Sequence, residues 1–581
     1  MKALIFNSGT GSRMGSMTEH GPKCLLQLKT GESIFARQLR ILAECGITEV
    51  IVTTGEYEQD LQEESKKVQN ITVMYVNNPE YATTNYIYSM YLASEYLDDD
   101  ILMLHGDLVF NKELVQEIQS DKNSSVCLIN KNISQPPKDF KGRISEEGYL
   151  REVSVNIFDE DCYALQPLYK LSKHCVTSWL DEIRRFVEQG ITNVYAENAL
   201  NLISDKLNIC AMSYEKHYIN EIDTPEDFVR VSREISLVES GVYFSICAMN
   251  QLWERYKAKR PFVVMGRHLA GSELDLWLDS LEIKVYKYFG VMENPEYECV
   301  MSARQAFEEH DGDMLISVGG GSAIDIAKGI KYYLMQKEES WKGLVHIAIP
   351  TTAGSGSEAT HFAVMYRDGI KDSLANEALL PQHAILDVRM LYSLSEEQRK
   401  ISLLDAFCHS IESILSRNAT DESRRYAVCA INIISQKYQA FCDGETEVFQ
   451  DIFVATHLAG KAIDISKTTV GHAMSYVLTS LYGIKHGQAV AMCLIQALKY
   501  MEENNPDTTE LAHLRELLSV KEESIAQYLM SMYRTMDLPQ PDLERADAVL
   551  LAKEVNVERL SNSVVSFSEK DLQEIYQKVK E

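Results

Sequence analysis

A chain of 581 residues exceeds what one hydrophobic core organises and implies two to four domains, and an apolar content of 45% suffices to fill them. The formal net charge of −28 argues against nonspecific binding to nucleic acid or an anionic membrane, since the overall field repels both; anionic substrates must be caught by local lysines, arginines and backbone amides. No apolar stretch approaches the roughly 20 residues needed to cross a bilayer, and twelve cysteines without a CxxC pair point to buried thiols in a reducing cytoplasm.

MKALIF runs directly into a glycine-rich stretch and is expected to be a first buried strand rather than a leader. A helix near 33–45, EVIVTTG, a helix near 57–68, ITVMYVN, a helix near 85–96 and DILMLHGD then alternate helix with strand. That rhythm predicts an α/β fold over 1–235, a parallel sheet with helices on both faces. A helical stretch from about Thr224 to Tyr256 leads into a second α/β domain, 236–394, where RPFVVMG, EIKVYKYFG and DMLISVGGGSAIDIAKGI repeat the alternation. From Ser395 the pattern turns almost wholly helical, so 395–581 is expected to form an all-helical domain.

In the stretch IFNSGTGSRMGSMTEHGPK, Gly9, Gly11 and Gly15 follow a strand and precede a helix, where backbone amides, those of Gly9, Gly11 and Ser12 among them, can face phosphate oxygens. Arg13 and Lys23 add fixed positive charge. The pattern is neither a GxGxxG dinucleotide loop nor a Walker loop ending in GK[ST]. Asp107 ends a hydrophobic strand, where ligands bind in such sheets, and Asp223 opens a helix; either can be a helix cap, or the two together can hold a Mg²⁺ that bridges triphosphate oxygens.

On GTGSRM with PK, NPEYATTNYIYSMYLA, the strand ending HGD, and YINEIDTPEDF, residues 1–235 resemble the sugar-nucleotidyltransferase family, particularly its phosphocholine cytidylyltransferase-like branch. The resemblance implies that Lys23 and Arg13 bind the triphosphate of CTP, that Asp107 and Asp223 bind Mg²⁺, and that a phosphate or phosphonate oxygen attacks the α-phosphorus and expels pyrophosphate. His105-Gly106 departs from the small or acidic residues often found before that aspartate, and Tyr86 is a candidate for the acceptor pocket or for the core.

In the helical region, Asp405 and His409 lie one turn apart and share a face, and His472 and His486 follow fourteen residues apart. Three imidazoles and a carboxylate suit Fe²⁺ or Zn²⁺ better than Mg²⁺. VGGGSAIDIAK points glycines and a helix N-terminus at a pyrophosphate, and IPTTAGSGSE supplies a second loop of hydroxyls and glycines.

GVMENP, GGGSAIDIAK, PTTAGSGSE, DAFCH and the two later histidines together resemble the iron-containing alcohol dehydrogenase family across about residues 250–500. The family implies hydride transfer between NAD(P)(H) and an alcohol or aldehyde whose oxygen a metal polarises. Carried onto this sequence, Asp405, His409, His472 and His486 hold the metal, while Gly266, Asn294, Gly319, Gly320, Gly321, Ser322, Asp325, Thr351, Thr352 and Ser355 face the cofactor. Gly266-Arg267 stands where many relatives carry an acidic residue, so NADP(H) is expected to be accepted or preferred over NAD(H). Tyr476 stands where some relatives place a further histidine, leaving a proton relay to that phenol, solvent or the cofactor ribose. IDISKTT ahead of HAMSY resembles the phosphonoacetaldehyde reductase branch; Lys467 is then a candidate for holding an anionic tail, as is Lys485, and a solvent-facing role is the commoner one for either.

These expectations converge on a bifunctional cytoplasmic enzyme of phosphonate assembly: reduction of phosphonoacetaldehyde to 2-hydroxyethylphosphonate with NAD(P)H, then transfer of CMP from CTP to that product. Its partners would be small molecules and a second copy through the dehydrogenase half, with no nucleic acid and no membrane. A polyol phosphate, or betaine aldehyde and phosphocholine, fits the same two steps, the last requiring an aromatic box with a carboxylate. A nucleotide-binding regulatory protein without turnover is the reading from another class.

Overall fold

The computed structural model describes every residue except Thr10, His20, Glu282, Asp368, Gly369, Lys521, Glu522, Glu523 and Glu581. The chain divides into two compact units, Met1–Ala248 and Met249–Glu581. Among the described residues, no helix is long and apolar enough to cross a membrane.

In the first unit the strand Lys2–Asn7 sends alternate side chains into two cores, as the period of two in an extended chain requires. Leu4 and Phe6 pack with Ile87, Met103 and Trp179 on one face; Ala3 and Ile5 pack with Phe35, Leu39 and Val52 on the other. Its parallel neighbours are Glu49–Thr54, followed by Thr72–Asn77, and on the other side Ile101–His105. The expected wholly parallel sheet stops there, because Cys162–Leu171 inserts antiparallel between Ile101–His105 and Val126–Asn130. Lys141–Ile144, Leu150–Ser154 and Cys162–Leu171 follow one another through short connections, which can join only antiparallel strands.

The helix expected near 33–45 is Ile34–Glu44, started by Ser33, whose hydroxyl accepts the Ala36 N–H at 3.0 Å. Helix Pro225–Glu239 begins at a capping box in which Thr224 and Asp227 satisfy each other's backbone N–H groups, with proline in the first turn. Thr224 is therefore the cap, and the Asp223 carboxylate is left for other partners.

In the second unit the strands run in the order His383–Ile385, Val345–Pro350, Met314–Gly319, Pro261–Met265 and Tyr286–Tyr288, all parallel. Helix Gly321–Lys337 packs Ala323, Ile326 and Ile330 against Phe262, Val264 and Leu315 of that sheet. From Glu396 the unit is helical, chiefly Glu396–Ile414, Asp421–Asp443, Phe449–Ser466, Val470–Tyr482 and His486–Asn504, as the sequence pattern predicts. Gly356, in the loop after Val345–Pro350, meets helix Phe449–Ser466 so closely that a Cβ there would lie 2.6 Å from the Gly460 Cα.

Candidate active sites

The first site lies at the carboxyl ends of Lys2–Asn7 and Ile101–His105. The glycine loop does not lead into an α-helix, as its spacing suggests, but into a 3₁₀ segment, Ser12–Thr18, broken at Gly15, where φ is 56° and ψ is −132°. Gly9, Gly11, Arg13 and Lys23 line a cavity of about 330 Å³ with Asp107 and Asp223; the Ser12 side chain lies outside the described residues' atoms. Gly106 is required by packing, since a Cβ would sit 1.6 Å from Asn7 Oδ1.

Lys23 Nζ donates to Asp107 Oδ2 at 2.7 Å and to Asp223 Oδ1 at 3.1 Å, and Arg13 Nη1 donates to Asp223 Oδ2 at 2.6 Å. Burial works against the Lys23 charge, but the two aspartates outweigh it and raise its pKa. Two further carboxylates, not found from sequence, join them: oxygens of Asp139, Glu221 and Asp223 lie within 4.8 Å of one another. Glu221 is brought in by the antiparallel pairing of Ile219–Glu221 with Leu108–Phe110, and its spacing of two from Asp223 was the available signal. Burial, then Asp107, Asp139 and Asp223, hold its pKa well above the ordinary carboxylate value. Asp107 Oδ1 is buried with no hydrogen-bond partner. This excess of carboxylate charge, with an orphaned oxygen among it, fits a divalent cation such as Mg²⁺.

An aromatic cluster adjoins the same cavity. Tyr86 lies 4.8 Å from His105 and 6.0 Å from Tyr195 between ring centres, and Phe140 lies 5.0 Å from Tyr195. The Tyr86 hydroxyl donates to Glu197, which is 1% exposed.

The second site is built on helix Glu396–Ile414, which carries Asp405, His409 and, one turn further, Glu412. Asp405 Oδ1 lies 3.4 Å from His472 Nε2 and 3.8 Å from both His409 Nε2 and His486 Nε2. All four sequence-derived ligands are thus brought together around one carboxylate oxygen; the tightest trio is Asp405, His472 and His486. Asp405 Oδ1 and His472 Nε2 are buried without hydrogen-bond partners. Burial, the largest influence, pushes the Asp405 pKa up, but His409, His486 and His472 together hold it well below the usual carboxylate range.

Sequence reasoning missed Glu412, although it shares the Asp405 face at seven residues' spacing. Fully buried, it accepts the His472 Nδ1–H on one oxygen and, on the other, the Thr469 N–H at 3.0 Å, the Thr469 hydroxyl at 2.9 Å and the His472 N–H at 3.2 Å. It therefore fixes the ring that turns Nε2 toward Asp405, the support that metal-binding histidines characteristically have. Imidazole nitrogens and one carboxylate with orphaned, converging lone pairs fit Fe²⁺ or Zn²⁺. The Tyr476 ring stacks on His486 at 5.9 Å and 8°.

The expected cofactor loops collect at the carboxyl ends of three adjacent parallel strands, the position where dinucleotides bind. Met265, Val318 and Ile349 stand in register, so Gly266, the run Gly319–Ser322 and the run Thr351–Ser355 leave the sheet side by side. The Thr351 N–H donates to the Gly319 carbonyl at 3.0 Å, and Cβ atoms on Gly320 and Gly321 would reach Thr352 at 3.4 Å and Ser355 at 3.0 Å. Gly320 caps helix Gly321–Lys337 without a side-chain hydrogen bond. These groups fit a pyrophosphate at the helix N-terminus. Asp325 differs: its carboxylate accepts the Ser357 hydroxyl at 2.6 Å and the Val364 N–H at 3.1 Å, binding loop to strand. Asn294 is exposed with φ of 52°.

Lys467 follows the last residue of helix Phe449–Ser466 with φ of 65°, half-buried, its Nζ 3.5 Å from His361 Nε2. Lys485, the other lysine considered for an anion, instead lies at the surface 3.4 Å from Glu293.

Residues 3–199 match the family model of the MobA-like NTP transferase domain; residues 243–388 match iron-containing alcohol dehydrogenase, and 401–579 the C-terminal part of the Fe-containing alcohol dehydrogenase family. The chain is 31% identical to long-chain-alcohol dehydrogenase 1 of Geobacillus thermodenitrificans over 235 residues, 38% of this chain and 60% of that protein. It is 32% identical to phosphonoacetaldehyde reductase of Streptomyces viridochromogenes over 158 residues, 26% of this chain and 40% of that one. The chain thus spans 60% or less of the length of these two curated relatives. A solved iron-containing alcohol dehydrogenase from Thermotoga maritima superposes with a TM-score of 0.52 at 27% identity, covering 58% of this chain and 97% of that one.

Proposed function

The chain joins a MobA-like NTP transferase domain to an iron-containing alcohol dehydrogenase, and we propose that the two halves act on one small phosphonate in turn. The dehydrogenase half reduces phosphonoacetaldehyde to 2-hydroxyethylphosphonate; the transferase half couples that product to CMP from CTP. The observation that carries this reading is Lys467, a half-buried cation whose neighbour Thr469 is tied by two hydrogen bonds to Glu412, the residue that holds His472. An anionic tail held there leaves its aldehyde near Asp405 and the three histidines. The match to a phosphonoacetaldehyde reductase supports the same substrate.

In the reduction, Asp405, His409, His472 and His486 would hold Fe²⁺ or Zn²⁺, which when bound supplies Lewis-acid polarisation of the carbonyl. NAD(P)H supplies the hydride, and one proton completes the alcohol. Glu412 keeps His472 Nε2 directed at the site. Gly266, Gly319 to Ser322, Thr351, Thr352 and Ser355 orient the cofactor, while Arg267 leaves room for a 2′-phosphate. Tyr476, stacked on His486, would supply or relay the proton that completes the alcohol.

In the coupling, a phosphonate oxygen forms a bond to the α-phosphorus of CTP as the bond to the β-phosphate oxygen breaks and pyrophosphate leaves. Asp107, Asp223 and Glu221 would hold Mg²⁺, which when bound neutralises triphosphate charge. Lys23, Arg13 and the amides around Gly9 and Gly11 position the phosphates, and positioning with charge neutralisation accounts for most of such catalysis.

Incubating the protein with phosphonoacetaldehyde, NADPH and CTP should produce a phosphonate–CMP anhydride, visible by ³¹P NMR. Reduction without coupling would leave the acceptor of the first unit open. The cluster of Tyr86, Phe140 and Tyr195 with Glu197 behind it favours a second acceptor, phosphocholine, because such boxes bind quaternary ammonium. Competition between 2-hydroxyethylphosphonate and phosphocholine for CMP transfer separates the two.

A further inference from the structure

We propose that Arg559 and Lys467 together clamp the anionic tail of the aldehyde. This deepens the reading above and rests on its dehydrogenase half. Though 92 residues apart, the two side chains converge on one ring: Lys467 Nζ and Arg559 Cζ each lie 5.4 Å from the centre of Phe362. Arg559 Nη1 donates to Thr468 Oγ1 at 3.3 Å, and Asn562 Nδ2 donates to the Thr468 carbonyl at 3.1 Å, which locks the arginine's segment to the residue after Lys467. The Asn556 N–H bonds the Ala473 carbonyl at 3.3 Å, anchoring the same segment to the helix that carries His472.

Among the described residues, no ion pair joins a carboxylate to either cation, and Asp464 and Glu558 act on Lys467 only by attraction at longer range. Asp464, the nearest acid on the preceding helix, is occupied by His361, whose backbone N–H and Nδ1 lie 2.7 and 2.6 Å from it; Glu558 is exposed. Burial, and behind it Arg559, lowers the Lys467 pKa, and Arg559 also acts on His409. Two cations without an ion-pair partner among the described residues, in a protein of net charge −28, suit a phosphonate, with most of the five guanidinium N–H donors of Arg559 still available. A carboxylate tail has the same sign and similar acceptors.

The test compares wild type, Arg559→Ala and Arg559→Lys on phosphonoacetaldehyde, succinic semialdehyde and neutral butanal. Arg559→Ala should raise KM for the preferred anionic aldehyde about 10- to 100-fold, with kcat for that aldehyde and both constants for butanal within about threefold; Arg559→Lys should recover part of the loss. Equal losses on charged and neutral aldehydes, or an unchanged KM, overturn the clamp. If only the carboxylate-tailed aldehyde is used and depends on Arg559, the clamp stands and the phosphonate reading falls. A second measurement is independent of folding in the variants: ethylphosphonate should compete with butanal in the wild type, and failure to compete also overturns the clamp.

Discussion

Glu412 accepts the Nδ1 proton of His472, so a buried carboxylate with no access to solvent decides which nitrogen of that ring faces Asp405. Glu412→Gln preserves the shape but removes the charge that aligns the imidazole. Metal affinity of the dehydrogenase unit should fall about 10- to 100-fold, measured by chelator competition with metal analysis, while pyrophosphate release by the first unit is unchanged. Undiminished affinity would reduce Glu412 to a packing residue.

The two sites should be separable. Asp107→Asn removes a charge from the carboxylate cluster around Lys23 and should lower CTP-dependent pyrophosphate release by at least about 100-fold while sparing aldehyde reduction. His486→Ala should do the reverse. Loss of both activities in either variant contradicts independent chemistry.

Tyr195 packs on Phe140 and Tyr86 beside the nucleotide cavity and is 38% exposed. Tyr195→Ala should raise KM for the acceptor about tenfold and leave KM for CTP within about twofold. A change confined to CTP would move the acceptor elsewhere.

Lys331 is 0% exposed and its Nζ has no hydrogen-bond partner; burial lowers its pKa from 10.5 to about 8. Between those values the unfolded chain keeps a proton that the folded chain gives up, so stability contributed by this group rises with pH across the window and its full cost is felt below pH 8. Lys331→Met should stabilise the protein by roughly 1–3 kcal/mol at pH 7, with the gain shrinking toward pH 10. Thermal melts at pH 7, 8.5 and 10 measure this; a pH-independent gain would assign it to packing alone.

Local patterns carried most of the architecture. The period of two in ALIF, EVIVTTG and ITVMYVN became the strands Lys2–Asn7, Glu49–Thr54 and Thr72–Asn77, and the one-turn spacing of Asp405 and His409 put both on one face. The glycine runs marked the turns at the strand ends, because helix Gly321–Lys337 starts directly after its strand. What depended on distant chain segments was hidden: Glu221 is placed by the pairing of its strand with Leu108–Phe110, Asp139 meets it from a loop far away in sequence, and Arg559 reaches Phe362 through packing of a late segment. The antiparallel Cys162–Leu171 interrupts the sheet for the same reason, since its partners are chosen by connection length rather than by its own residues.

The contact of Gly356 with Gly460 has a mechanical meaning. With backbone laid on backbone, the cofactor-side loop and the helix ending beside Lys467 cannot slide past each other, because even a methyl group would force them apart. A displacement of the loop that carries Gly356 is therefore expected to take the end of helix Phe449–Ser466 with it, so that loop and helix behave as a single part.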